Sequence, residues 1–320
     1  MCNLLSKRCL HKLQNLFLLV CVSLFVTVGS AKADQLSGMF DAYNSHDYAK
    51  TIQLARPLAQ QGEPNAQYLF GLMYAKGNGV PQDFEKAAAW FEKAADQGHP
   101  QALGILGNFY RKGLGVHRNF GEALKRLRLA VAQGDAFAQT MLGYMYLDGE
   151  GVPQDSREAE KWLRLAAKQG GLEAQTQLGY MYQQGEGAPQ DSRESAKFNR
   201  AAAERGEVIA QYNLGLQYYH GNGVPKNYVE AIKWFRKASE HGDVDAQFSL
   251  GSMYSDGLGV PRNYIKSEMW LSIAIANADS EKRKQFQKQI SSVVRFITDD
   301  ERTEAEKLAK KCIAKKYKGC

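Results

Sequence analysis

The stretch Gly71-Leu72-Met73-Tyr74-Ala75-Lys76-Gly77-Asn78-Gly79-Val80-Pro81 sets the fold, because it returns five more times at a fixed interval of 36 residues. Its leading glycine recurs as Gly107, Gly143, Gly179, Gly215 and Gly251. The tyrosine three residues later recurs as Tyr110, Tyr146, Tyr182, Tyr218 and Tyr254. A G-x-G turn closes each copy, ending at Gly79, Gly115, Gly151, Gly187, Gly223 and Gly259, with no slip in register. An unbroken period of this size marks a solenoid, in which each unit hides its apolar face against its neighbours. Length alone, 320 residues, would instead suggest two globular domains.

Around this stretch each copy divides into two helices. In the first copy, Ala66, Leu69, Phe70, Met73 and Tyr74 have helical spacing over about Pro64 to Lys76, here helix A. Gly77 ends it, and Gly79 can take the positive φ of the turn. Pro81 returns as Pro153, Pro189, Pro225 and Pro261, with His117 the departure, and stiffens the entry to helix B. The column that opens helix B is always Asp or Asn: Asp83, Asn119, Asp155, Asp191, Asn227 and Asn263. These are preferred N-caps, each contributing about 1 kcal/mol. Three residues on, Glu122, Glu158, Glu194 and Glu230 resemble the reciprocal partner of a capping box. Helix B carries Trp90, Trp162, Phe198, Trp234 and Trp270 in one column, with Arg126 the exception, and an unbroken column of alanines from Ala94 to Ala274. Small residues let helices approach, and the aromatic column fills the wider gap between layers.

The expected repeats are 62–97, 98–133, 134–169, 170–205, 206–241 and 242–277, flanked by an N-terminal capping helix pair over 34–61 and C-terminal capping helices over 278–320. In the first flank, Leu36, Met39, Phe40 and Tyr43 begin one helix, and a second follows Ser45-His46-Asp47, with Pro57 expected to bend it. In the last flank, Phe286, Ile290, Val293, Val294 and Ile297 outline one amphipathic helix. Thr298-Asp299-Asp300-Glu301 is a capping-box start for another, with Ala305, Leu308, Ala309, Cys312 and Ile313 as its buried stripe.

Residues 1–33 read as a secretory signal: Lys7, Arg8 and Lys12 precede an uncharged apolar run from Leu16 to Val28, and Ala31-Lys32-Ala33 fits the small-x-small cleavage rule. The run is short for a membrane span, and an uncleaved signal anchor is the alternative. Cleavage after Ala33 would place the mature chain, from Asp34, in the periplasm or outside the cell. The formal charge of +7 then shrinks, since residues 1–33 hold four of the 41 Lys and Arg and none of the 34 acids. A chain so nearly balanced gives little reason to expect a nucleic-acid partner, which needs a clustered basic face.

The pattern A-x-x-x-L-G-x-x-Y, then G-x-G-V-P, then a helix bearing A-x-x-W and A-A near its end, resembles the Sel1-like repeats, relatives of the tetratricopeptide repeat. The resemblance covers 62–277 closely and the flanks loosely. It implies an all-α, right-handed α/α superhelical solenoid with helix A on the concave side. It also implies an adaptor role, with secreted bacterial relatives acting in envelope processes or in contact with host cells. One disulfide-rich branch is associated with penicillin binding, but its paired cysteines are missing from every repeat here.

Helix A supplies the candidate site. Columns beginning at Asn65, Tyr68, Leu72 and Ala75 share one helix face and change from repeat to repeat, whereas the packing columns barely change. A face free to vary is not needed for stacking and is available for recognition. The candidate protein-binding residues are Tyr68, Phe137, Tyr144, Tyr180, Tyr212, Leu216 and Tyr219; for Tyr68 and Tyr212 the competing reading is packing between helices. No catalytic residue, cofactor or metal ligand is assigned. The G-x-G turns follow a helix rather than a strand, which argues against a phosphate loop. None of His46, His99, His117, His220 and His241 forms a recognisable motif with a nearby Ser, Cys or carboxylate. The main reading is a secreted scaffold that binds a protein or peptide on its helix-A face. The alternative is a cell-envelope enzyme such as a penicillin-binding or β-lactamase-like hydrolase.

Removal of residues 1–33 would leave two thiols, Cys312 and Cys320. In an oxidising compartment these are expected to form a disulfide across Lys315-Lys316-Tyr317-Lys318-Gly319, a pairing that the resemblance to secreted family members also implies. Two free thiols, or an intermolecular bond through Cys320, are the alternatives.

Overall fold

The computed structural model describes residues 33–320, so the expected export signal lies outside the described residues except for Ala33. These residues form sixteen α-helices, one short 3-10 turn and no strand. The first pair is α1 (33–44) and α2 (Tyr48–Gln60). The A helices are α3 (Pro64–Lys76), α5 (Pro100–Lys112), α7 (Ala136–Asp148), α9 (Leu172–Gln184), α11 (Val208–His220) and α13 (Val244–Asp256). The B helices are α4 (Phe84–Ala95), α6 (Phe120–Ala132), α8 (Ser156–Lys168), α10 (Ser192–Glu204), α12 (Tyr228–Glu240) and α14 (Tyr264–Asn277). The chain ends with α15 (Ser280–Val293), the 3-10 turn Val294–Phe296 and α16 (Asp299–Ala314). The fold is all-α, a succession of helical hairpins. It divides into two compact units, the first ending at Ala138 and the second spanning Gln139–Cys320.

Both glycines of the turn are required by its geometry. Gly221 ends α11 at φ 83°, its N–H donating to the Gln217 carbonyl. Gly223 follows at φ 73° and passes so close to the preceding repeat that an added Cβ would lie 1.8 Å from the Ser192 carbonyl oxygen. The second glycine therefore meets two demands at once, a left-handed backbone and an inter-repeat contact.

The N-cap side chains behave as expected, with Asn227 accepting from the Glu230 N–H and Asp83 from the Lys86 N–H. The reciprocal half of the capping box does not form in the repeats. The N-cap N–H already donates to the carbonyl of the tyrosine column: Asp83 to Tyr74 at 3.0 Å, Asn119 to Tyr110 at 2.9 Å, Asn227 to Tyr218 at 2.8 Å. With that donor taken by the hairpin, the glutamates pair forward with lysines, as in Glu194–Lys197 (3.0 Å) and Glu230–Lys233 (2.6 Å). The complete box forms at Thr298 and Glu301, where α16 opens without a preceding tyrosine carbonyl.

Helices A and B of one repeat meet over the leading glycine. An added Cβ on Gly71 would come within 2.5 Å of Phe91, and one on Gly107 or Gly251 within 2.7 Å of Leu127 or Leu271. The side chain that fills this cradle is buried throughout: Phe91, Leu127, Leu163, Asn199, Phe235 and Leu271. Asn199 is the polar member of the column.

In the first unit, Met39, Ala55 and Leu58 of the leading pair pack against Ala66, Leu69 and Met73 of α3. The helix α2 continues through Pro57 to Gln60, so that proline removes a backbone donor without ending the helix. Arg126 stands in the tryptophan column and replaces stacking with charge, its guanidinium meeting Glu92, Asp96 (3.4 Å) and Glu122 (3.7 Å).

In the second unit the end is covered from two sides. Phe286 of α15 stacks on Phe248 at 4.3 Å between centroids, and α16 lays Ala309 and Cys312 against Met269, Trp270 and Ile273 of α14. Glu268, only 2% exposed, lies 3.5 Å from Arg302. The buried stripe of α16 is narrower than its sequence suggests. Ile313 is exposed, because a single helix face meets α14. Cys312 and Cys320 Sγ atoms stand at bonding distance, 2.12 Å, with their Cα atoms 5.7 Å apart.

Candidate functional site

The variable columns of helix A separate into packing and open positions. Tyr68 is half-buried in the first unit, stacked on the His99 imidazole at 4.7 Å and tilted against Phe91 at 6.0 Å. Burial, with Asp135 and Tyr43 adding repulsion, pushes its phenol up to about 12. His99 is held there because its Nδ1 caps α5, accepting from the Ala102 N–H. Tyr212 repeats the arrangement in the second unit: it leans on Phe235 at 5.7 Å, and burial, helped by Asp245 and Asp243, pushes its phenol up to about 12. The geometry of Tyr68 and Tyr212 is that of side chains wedged between helices.

Phe137, 38% exposed, lies over Gly104 at the end of the first unit, where the missing side chain leaves room for its ring. The remaining candidates belong to the second unit and line two clefts. In the first, of about 290 Å³, Tyr144 and Tyr180 face Ile209 and Asn213, with Glu173 and Glu207 beside them. Tyr180 is 45% and Ile209 57% exposed, so large apolar area here meets solvent. In the second, of about 210 Å³, Leu216 and Tyr219 of α11 oppose Phe248 and Ser252 of α13. Tyr219 is held by edge contacts with Tyr228 (5.3 Å) and His220 (4.9 Å). Helix α11 contributes to both clefts.

Sequence reasoning missed Ile209, although it is the one aliphatic residue in a column otherwise made of Asn65, Gln101, Phe137, Glu173 and Asp245. It also missed Phe248, whose burial against Phe286 depends on a helix beyond the last repeat. The glutamates carried no signal of their own. In the structure Glu207 is the N-cap of α11, accepting from the Ile209 and Ala210 N–H groups.

The chemistry these walls offer is contact. Tyrosine and isoleucine side chains supply apolar area, Thr176, Gln177 and Asn213 supply hydrogen bonds, and the carboxylates supply charge. Among the described residues no group of three or more His, Cys, Asp or Glu is placed to hold a metal ion.

The Sel1 repeat family matches this chain six times in succession, at residues 64–99, 100–135, 136–171, 172–207, 208–243 and 244–279. Its frame begins two residues after the one read from the glycine turns and encloses the same helix pairs. Among solved structures the chain is similar to a Sel1 repeat protein from Oxalobacter formigenes, at 31% identity and a TM-score of 0.69, over 76% of this chain and 100% of that one. It is also similar to c5321, a protective antigen present in uropathogenic Escherichia coli strains that displays an SLR fold. That likeness has 31% identity and a TM-score of 0.54, over 83% of this chain and 64% of that one. No curated protein matches the chain.

Proposed function

Because the chain belongs to the Sel1 repeat family, whose members generally serve as non-catalytic scaffolds for protein–protein interaction, we propose that it is an exported adaptor that holds a protein or peptide against the A helices of its second unit. The carrying observation is the pair of clefts on α7, α9, α11 and α13, where Tyr180 and Ile209 expose apolar area beside ordered polar groups. Buried interface centres favour such walls, since a tyrosine offers large contact area with few rotors to immobilise. Export rests on the basic start, apolar run and Ala-x-Ala pattern of residues 1–33. No helix among the described residues is long and apolar enough to cross a membrane. An envelope process or contact with a host cell is the setting that export would allow.

The test is a crosslinking pull-down from the native envelope fraction with the wild-type chain and a Tyr144→Ala/Tyr180→Ala variant. Partner capture should fall sharply while the melting temperature stays within a few degrees. Unchanged capture would refute the assignment of this face, and a large loss of melting temperature would show that the tyrosines are structural.

A further inference from the structure

The charge of the second unit is sorted by helix. Its A-helix residues, those of α7 from Gln139 onward and of α9, α11 and α13, contain no lysine or arginine, while four carboxylates, Asp148, Glu173, Asp245 and Asp256, lie among them. The B helices of the same unit are rich in cations, among them Lys161, Arg164, Lys197, Arg200 and Lys233. The first unit does not share the pattern. Its A helices α3 and α5 carry Lys76, Arg111 and Lys112 and no carboxylate. The sorting therefore belongs to this face and does not follow from the repeat.

The cleft between α9 and α11 concentrates the charge. Glu173 and Glu207 line it together, no Lys or Arg does, and Tyr144, Tyr180 and Ile209 form the walls. Glu207 spends one carboxylate oxygen on the backbone N–H groups of Ile209 and Ala210. Glu173 stands exposed in the first turn of α9. Any occupant that covers the tyrosines also strips water from these carboxylates. An apolar or acidic occupant would leave buried negative charge uncompensated, whereas a cation would be paired and could also lie over a tyrosine face. An arginine fits such a site well, because its flat guanidinium stacks on rings and meets carboxylates two bonds at a time. The second cleft has a different character, with Leu216, Tyr219 and Phe248 in its wall and no carboxylate, lysine or arginine among its lining residues. Ile209 and Leu216 lie seven residues apart on α11, about 10 Å along the helix. An extended chain covers that distance in three to five residues at ~3.3 Å each, allowing for the step from one helix to the next.

Building on the binding role of this face, we propose that its ligand is an extended basic peptide segment, with an arginine or lysine seated between Tyr180 and the Glu173–Glu207 pair and a large apolar side chain three to five positions away in the Leu216–Phe248 cleft. Selection of a random dodecapeptide library displayed on phage, against the immobilised full chain, tests this whatever the natural partner is. Enriched sequences should carry Arg or Lys at that spacing from Leu, Phe, Trp or Tyr. A fluorescent copy of one such peptide should bind the Glu173→Gln and Tyr180→Ala variants about five- to tenfold more weakly and should lose affinity as salt is raised. Circular dichroism melting of both variants, altered at exposed positions, guards against misfolding as the cause. Enrichment of acidic or uncharged peptides, no enrichment at all, or equal binding to Glu173→Gln would overturn the proposal. If peptides of another chemistry are selected and Tyr180→Ala still weakens them, the binding face stands and its charge preference falls. If Tyr180→Ala changes nothing, both fall.

Discussion

Replacing Asn199 by leucine should stabilise the protein. Asn199 occupies the cradle over Gly179, is fully buried, and neither its side-chain oxygen nor its nitrogen has a hydrogen-bond partner among the described residues. Leucine or phenylalanine fills the equivalent cradle in the other repeats, at Phe91, Leu127, Leu163, Phe235 and Leu271. Asparagine and leucine have the same branched heavy-atom skeleton, so a leucine follows the same path, and its bulkier methyl groups are of the kind the other repeats already seat over this glycine. The fit can be compared directly. A Cβ on Gly143 would come 2.8 Å from Leu163, and one on Gly179 would come 2.5 Å from the Asn199 oxygen. Relief of a buried, unpartnered carboxamide amounts to about 1–3 kcal/mol. Burying two methyl groups in place of it adds about 1 kcal/mol. Some of this is lost because the neighbourhood is itself polar: Ser195 donates to the Gly179 carbonyl at 2.7 Å, and Gln217 donates to Ser195 at 2.8 Å. A net gain of about 2 kcal/mol is expected. Repeat proteins open locally, so the gain should show as slower amide exchange in α9 and α10 as well as a higher urea midpoint. The reverse exchange, Leu163→Asn, should destabilise by about 3 kcal/mol or more, since it adds the same unpartnered amide and loses apolar burial. Loss of stability in Asn199→Leu would refute the reasoning and show that the amide is satisfied in solution.

Gly223→Ala should cost about 3 kcal/mol or more, combining a positive φ with overlap on the Ser192 carbonyl. Gly206→Ala, at φ 94° but with nothing within 4 Å of the added atom, should cost about 1–2 kcal/mol, and equal losses at the two positions in urea unfolding would refute the contact. Burial raises the Glu268 carboxyl above its ordinary 4.5 against the opposing pull of Arg302, so just above that value the folded chain holds a proton that the unfolded chain has released. Stability from this group is thus greatest in acid and falls as pH rises through the raised value. Glu268→Gln should flatten the slope of urea midpoint against pH, without abolishing it, because burial raises Asp135 and Asp243 in the same direction. An unchanged slope would remove Glu268 from the account. In unreduced, denatured protein from the envelope fraction, Cys312 and Cys320 should resist thiol labelling, and reduction should lower stability by about 2–3 kcal/mol. Labelling of both would refute the bond, and a reducible dimer would point to pairing between chains. Intact-mass measurement of the exported chain should place its first residue at Asp34; retention of residues 1–33 would favour an anchor.

The amino-acid sequence by itself determined the hairpin repeat, the extent of helix A, the N-cap column that opens helix B and the paired turn glycines. Each is a local demand restated every 36 residues, so six copies remove the ambiguity that one would leave. The Thr298–Glu301 box was legible for the same reason, since both partners lie within one helical turn. Only the tertiary structure decided which aromatic residues of the helix-A face are open. Tyr68 and Tyr180 belong to the same variable face, yet Tyr68 is stacked beneath His99, 31 residues away, while Tyr180 has solvent beside it. The lost half of the capping box has a similar origin, because the N-cap donor is claimed by a carbonyl of the previous helix, nine residues back. Glu173 and Glu207 each look like an ordinary residue at a helix start, and they share one cleft only because successive A helices lie side by side. Periodicity specifies which columns stack. The exposure of a side chain and the charge around it depend on the residues that two neighbouring repeats happen to bring together, and that combination is not periodic.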